Sequence, residues 1–222
     1  NIEVYENNLT LNKYGLYLSG GNRSVVHDND IHNNTQYGIM FSGTNNQTIE
    51  SNDVHNNLNG IYISSSPDIN LCNNTLWANN YSFTPYESPY ADYPSNNSID
   101  GKPLRWVKDK TDWVFDLTAG YIALVNCSKV TVENLTMSKQ SAGILLLNSD
   151  TTTIKNMTLE RNGAGVKVVG TSTSNTIEQC TINYNNVGVQ LTGSTNNNLV
   201  YDNSFVCNTK GIQITGSCEE FF

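Results

Sequence analysis

Two histidines, His32 and His55, are each preceded two positions earlier by an aspartate, Asp30 and Asp53. The two Asp-x-His triplets lie 23 residues apart, the spacing at which much of the chain repeats, so they fall one above the other as a square of two carboxylates and two imidazoles. Imidazole with carboxylate suits zinc, copper or nickel, which makes these four residues the metal candidates. The alternative is a solvated face with ordinary Asp–His contacts, closed by Trp77 in the next coil.

Other residue types carry other chemistries. Cleavage of a polysaccharide needs clustered carboxylates, often beside an Arg or Lys, to move a proton or split a glycosidic bond. The acids read as outward are Asp28, Asp30, Glu50, Asp53, Glu133, Glu178 and Asp202, and only Asp30 and Asp53 stack, with no base beside them. The chain is therefore expected not to be an enzyme, with no catalytic residue and no cofactor. Sequons begin at Asn8, Asn22, Asn33, Asn46, Asn73, Asn80, Asn96, Asn126, Asn134 and Asn156. Asn22, Asn46 and Asn96 fall in predicted turns or in an irregular segment and are the glycan candidates. Asn73, Asn134 and Asn156 share one repeat position and read as ladder residues. Five cysteines make an odd set without CxxC spacing, so zinc binding by thiols is unsupported and Cys218 is the candidate for an intermolecular disulfide. Cys180 reads as a small buried apolar residue.

These residues are positioned by a repeat. Glycines at 15, 38, 60, 120, 143, 165, 188 and 211 are spaced 23, 22, 60, 23, 22, 23 and 23 apart, so one unit recurs with a single interruption. A fixed period in this range marks a solenoid. Each unit holds short runs of alternating apolar residues between Gly, Asn, Ser and Thr, which read as strands and turns, and helix is nearly absent. The predicted fold is all-β: a right-handed parallel β-helix of about nine coils, forming one domain over 1–222. Its N-terminal coils occupy 1–80, a Tyr/Pro-rich excursion 81–119 and the C-terminal coils 120–222. The inward residues predicted to stack are Val4, Val26, Ile49 and Leu71, then Leu9, Ile31, Val54 and Leu76, then Leu16, Ile39 and Ile61 with Leu18, Phe41 and Ile63. Two asparagine columns, Asn7, Asn29, Asn52, Asn74 and Asn12, Asn34, Asn57, Asn79, are predicted to form structural ladders at the corners, asparagine tolerating the left-handed backbone that such corners need.

In the excursion Asp100-Gly101 signals a hairpin, and Tyr81, Tyr86, Tyr90, Tyr93, Trp106 and Trp113 either pack on the solenoid flank or form a surface for a partner. In the second half the first Asn column becomes Leu135, Met157, Cys180 and Asn203, predicting a drier corner, and Glu133, Lys155 and Glu178 form an outward ladder of alternating charge. A net charge of −8 on 14% charged residues, with no basic block, lacks the footprint that neutralises phosphates, so nucleic acid is excluded as a partner. No stretch is long and apolar enough to predict insertion in a membrane.

The glycine-led, Asn-punctuated unit resembles the right-handed β-helix repeats of the NosD/CASH class. The segments NNSIDGKPLRWV (96–107) and AGYIALVNCSKVTVENLTM (119–137) resemble β-helix proteins of archaeal, methanogen envelopes of the surface-layer and sheath type. That resemblance implies right-handed coiling, an extracellular place at the cell surface and a structural or adhesive role; the NosD likeness also implies copper. No amphipathic capping helix is read at either end, and open coil ends are templates for another chain's strand. The expectation is thus a glycoprotein of a cell envelope that assembles with itself, end to end and laterally, and with other envelope proteins or glycans. The alternatives are a carbohydrate-binding or polysaccharide-cleaving β-helix protein and a NosD-like binder of copper or zinc.

Overall fold

The computed structural model describes residues 2–93, 96–115 and 118–216. The chain divides into two compact units, 1–105 and 106–222. Each is a stack of parallel coils with three strands per coil, and the described residues contain no helix.

In the first unit, coil 1 is β1 (Glu3–Tyr5), β2 (Asn8–Thr10) and β3 (Tyr14–Ser19), and coil 2 is β4 (Val25–His27), β5 (Asp30–His32) and β6 (Tyr37–Ser42). Coil 3 is β7 (Gln47–Glu50), β8 (Asp53–His55) and β9 (Asn59–Ser64); coil 4 is β10 (Ile69–Cys72), β11 (Thr75–Trp77) and β12 (Tyr81–Thr84). Like strands pair in parallel to give three faces, β1-β4-β7-β10, β2-β5-β8-β11 and β3-β6-β9-β12. The register is the one the glycines predict: Val4 pairs with Val26, Val26 with Ile49 and Ile49 with Leu71. Val26, Ile49 and Leu71 are fully buried, as are Ile31, Val54 and Leu76 on the second face. Each apolar side chain meets its counterpart about one strand spacing away, ~4.8 Å.

The corners are held by amides. The backbone N–H and Nδ2 of Asn29 donate to Asn52 Oδ1 at 3.1 and 2.9 Å, and those of Asn52 donate to Asn74 Oδ1 at 3.0 and 2.9 Å. Asn52 Nδ2 also donates to Val26 O and to Glu50 O, so this buried side chain is fully engaged. The left-handed residue at each corner, however, is the one before the ladder asparagine. Asp28, Ser51 and Asn73 have φ of 54°, 55° and 55°, and Asn33, Asn56 and Ala78 repeat this at the second ladder with 53°, 53° and 50°. The ladder residue needs its amide turned inward, and its predecessor takes the turn. The anchor glycine has a separate cause: a Cβ on Gly38 would lie 2.7 Å from Val54 Cγ1 and 2.8 Å from Gly60 O.

The break in the period is shorter than the expected 81–119. β12 still pairs with β9, and Asn97 rejoins the first ladder by accepting from Asn74 at 3.0 Å. β13 (Ser98–Ile99) then pairs in parallel with β11 and antiparallel with β14 (Lys102–Lys108). Asp100 and Gly101 have φ of 48° and 74°, the two left-handed residues of the tight hairpin that their sequence signals.

In the second unit one face stacks Thr111–Phe115, Ser128–Glu133, Thr153–Lys155, Thr176–Glu178 and Leu199–Tyr201. A second stacks Thr136–Ser138, Thr158–Glu160, Thr181–Asn183 and Ser204–Val206. Tyr121–Val125, Ala142–Leu147, Ala164–Gly170, Val187–Gly193 and Lys210–Thr215 lie side by side on the third. Its core includes Ile122, Val132, Ile144, Ile154, Val166, Ile177 and Ile182. The corner expected to be drier is so: Leu135 N–H donates to Met157 Sδ at 3.4 Å, and Cys180 is 2% exposed with its thiol donating to Glu178 O at 3.1 Å. The second ladder stays polar through Gln140, Asn162, Asn185 and Asn208. Glu133 pairs with Lys155 at 3.0 Å on the outer surface, and Glu178 accepts instead from the Tyr201 hydroxyl.

Candidate functional site

The second face of the first unit brings the Asp-x-His triplets together by strand register, with Asp30 beside Asp53 and His32 beside His55. Asp30 takes both imidazoles, His55 Nε2 lying 3.0 Å from Oδ1 and His32 Nε2 3.8 Å from Oδ2. The other ring nitrogens face amides: Asn33 Nδ2 lies 2.8 Å from His32 Nδ1, and Asn56 Nδ2 3.1 Å from His55 Nδ1. An amide N–H donates, so each Nδ1 accepts and each neutral ring carries its proton on Nε2, toward Asp30. The rings lie parallel, 4.8 Å apart and inclined by 6°, and Trp77 continues the stack 4.2 Å from His55 while donating to Asp53 Oδ1 at 2.7 Å.

Parallel rings point their in-plane lone pairs side by side. One ion bound at about 2 Å needs lone pairs that converge. The square is thus a stacked hydrogen-bonded column, and among the described residues no group of three or more His, Cys, Asp or Glu could hold a metal ion.

Most of the aromatic residues around the excursion are used for packing. Tyr93 is 1% exposed and meets Phe83 edge-on at 5.2 Å, burial holding its phenol well above the usual range. Trp106 is buried, Trp113 packs against Phe115 at 5.4 Å, and Tyr81 and Tyr86 are half-buried. Tyr90 alone of the six stands out, at 87% exposed. It lines a polar groove of about 500 Å³ with Asp92, Asp68, Asn46, Thr48 and Asn70.

The glycan candidates Asn22, Asn46 and Asn96 are exposed. Asn46 Nδ2 donates to Asn22 Oδ1 at 3.1 Å, and Asn96 Nδ2 to Asn73 Oδ1 at 3.0 Å, so in Asn46 and Asn96 the nitrogen a glycan would occupy bridges adjacent coils, while Asn22 uses only its oxygen. Asn73, Asn134 and Asn156 are exposed left-handed corner residues with φ of 55°, 60° and 52°, each one position before a ladder site. Cys218 lies outside the described residues. Cys127 and Cys180 are buried, Cys72 is half-buried and Cys207 is exposed.

The third face of the first unit carries a feature that the sequence reading passed over. Tyr14 and Tyr37 stack at 5.6 Å, Tyr17 lies 5.5 Å from Tyr14, and Tyr62 meets Tyr37 edge-on at 5.1 Å. Lys13 Nζ sits 5.2 Å above the Tyr14 ring. The four tyrosines form a terrace across three coils, with Tyr17 51% exposed and burial against its neighbours raising the Tyr37 hydroxyl pKa. In register, Tyr17, Met40 and Tyr62 form one column and Ser19, Ser42 and Ser64 another. The signal was present in the repeat, since Tyr14 and Tyr37 come one residue before the anchor glycine and Tyr17 and Tyr62 two residues after it.

Residues 109–221 match the family described as periplasmic copper-binding protein (NosD), and residues 1–102 match the right handed beta helix region. No curated protein matches the chain. Among solved structures, the chain is similar to the AlgE4 A-module of the Azotobacter vinelandii mannuronan C-5 epimerase, with 14% identity and a TM-score of 0.32 over 90% of this chain and 58% of that one. The AlgE6 A-module gives 15%, 0.31, 90% and 59%. The enzymatically active domain of bacteriophage CBA120 tailspike protein 2 gives 10% and 0.31 over 95% of this chain and 38% of that one. The chain thus spans about three fifths of the epimerase modules and under two fifths of the tailspike domain. The expectation that the chain is not an enzyme is overturned by these matches, all three being to enzyme modules; a sparse acid column is no ground for excluding catalysis. TM-scores this low assign no reaction to this chain. Among the described residues the donor set does not fit the copper of the family's description. The matched residues 109–221 contain no histidine. Of their four thiols, Cys127 and Cys180 are held against backbone carbonyls, burial raising both pKa values, Cys207 is exposed, and Cys218 lies outside the described residues.

Proposed function

The chain belongs to the family described as periplasmic copper-binding protein (NosD), and on that premise we propose that it works outside the cytoplasm as a β-helix that binds polysaccharide on the tyrosine terrace of its first unit. The supporting observation is the run of ring contacts from Tyr17 through Tyr14 and Tyr37 to Tyr62, at 5.5, 5.6 and 5.1 Å. Aromatic rings present an electron-rich face, and the C–H-lined face of a pyranose stacks on it, while tyrosine hydroxyls supply hydrogen bonds at the wet edge. Strands held at ~4.8 Å repeat that surface from coil to coil, as a polymer of sugars repeats its own face. A rigid parallel sheet also holds the rings in place before the ligand arrives, which lowers the cost of binding.

The envelope role expected from the sequence joins this reading, since a solenoid that holds matrix polysaccharide serves an envelope as an adhesive scaffold. Affinity electrophoresis through gels containing dissolved polysaccharides tests it. The chain should be retarded by at least one polysaccharide, and the Tyr17→Ala/Tyr62→Ala double variant should run free. Equal retardation of both proteins would place binding elsewhere, and no retardation by any polysaccharide would remove the reading.

A further inference from the structure

Resting on the carbohydrate-binding reading above, we infer that the terrace takes an uncharged polysaccharide chain, lying along the coil axis with about one sugar per coil.

The charge map of the first unit carries the choice. On the third face the column of Tyr17, Met40 and Tyr62 and the column of Ser19, Ser42 and Ser64 contain neither acid nor base. Among the strand residues of the first unit the acids lie on the other two faces, Glu3 and Glu50 on the first and Asp30 and Asp53 on the second, while Asp68 and Asp92 line the separate groove beside Tyr90. The one cation at the terrace, Lys13, comes just before β3 and is held over the Tyr14 ring. A uronate chain would lie over a surface with no cation beyond the first coil, on a protein of net charge −8. A polyamine sugar would find no carboxylate to pair with. What the face does offer is rings and hydroxyls, which suit neutral sugars.

Direction follows from the same register. The rings succeed one another across coils 1, 2 and 3, along the stacking axis, so a chain laid on them meets a fresh tyrosine, Met40 or serine at each coil. A chain laid along one strand would meet one coil's tyrosines and then leave the face at a corner.

The test is calorimetric titration of the full chain with β-1,4-linked glucose oligomers of two to six units, with mannuronate oligomers and with glucosamine oligomers. The neutral series should bind, gaining severalfold per added sugar over the ringed coils, and then level off. The two charged series should bind at least about tenfold more weakly, and salt should leave the neutral affinity unchanged. Met40→Arg, a change at a half-buried position of the outward column that places a cation mid-terrace, should raise mannuronate affinity and lower the neutral one. Charged oligomers binding as tightly as neutral ones, or an affinity with no length dependence, would overturn the inference and leave the carbohydrate reading standing. Absence of binding by all three series, with the circular dichroism of a folded β protein, would remove both.

Discussion

His55 and Asp30, one coil apart on β8 and β5, hold each other at 3.0 Å, and Asn56 donates to the remaining ring nitrogen of that histidine. Both nitrogens of the imidazole are therefore engaged within the protein. Its stacking on His32 at 4.8 Å sets the two rings parallel rather than convergent.

Titration with copper or zinc should accordingly show no stoichiometric heat that His32→Ala with His55→Ala removes. A one-to-one isotherm abolished by that double variant would show that the column opens into a chelate.

The buried ladder should matter more for stability than this half-buried outer column. Asn52→Ala removes the side-chain acceptor of the Asn29 N–H, one of the three acceptors of Asn29 Nδ2, and the amide donors to Val26 O and Glu50 O inside the corner. Unsatisfied buried groups cost about 1–3 kcal/mol each, so a loss of about 3 kcal/mol is expected in urea unfolding. His55→Ala, which breaks a surface pair, should cost under about 1 kcal/mol. Equal costs would mean that the ladder is not what fixes the corner.

How much of this was legible in the sequence differs from feature to feature. The glycine spacing placed Val26 over Ile49 and His32 over His55 correctly, because a 22–23-residue coil leaves one register in which apolar residues all face inward. It assigned the left-handed turn to the ladder asparagines, whereas Asp28, Ser51 and Ala78 show that the position accepts whatever precedes an anchored amide. The excursion looked longer than it is because β12 and β13 pair normally without the anchor glycine that the spacing followed. Composition likewise offered Tyr93 and Trp106 as a recognition surface, but a loop that leaves a solenoid must bury something to stay ordered, and these two side chains are what it buries. Tyr14, Tyr17, Tyr37 and Tyr62 are not legible as one surface from spacing, because their contacts depend on side-chain direction.

His27 should titrate above its ordinary value of 6.5, because Asp28 at 2.7 Å and Glu3 at 3.0 Å favour the imidazolium, with Tyr5 stacked on the ring at 5.1 Å. A folded pKa raised above the unfolded one stabilises fully below 6.5, and that contribution is lost as pH rises through the folded value. NMR titration of the ring should give a midpoint above 6.5, and the melting temperature of His27→Gln should fall below that of the parent only at the acidic end. A midpoint at or below 6.5 would contradict the pairing.

Thiol chemistry should follow burial. In the folded protein Cys207 should react with a disulfide reagent at once, whereas Cys127 and Cys180 should react only in denaturant, being buried with raised pKa values. Rapid labelling of Cys180 in the native state would show that the corner it fills is open.

The terrace itself is tested most directly by saturation-transfer NMR, irradiating the tyrosine ring protons in the presence of a neutral polysaccharide. The account predicts transfer to the sugar C–H protons that face the rings, lost in Tyr17→Ala/Tyr62→Ala while the folded spectrum is kept. Binding without transfer from the rings, or transfer undiminished in the double variant, would contradict it.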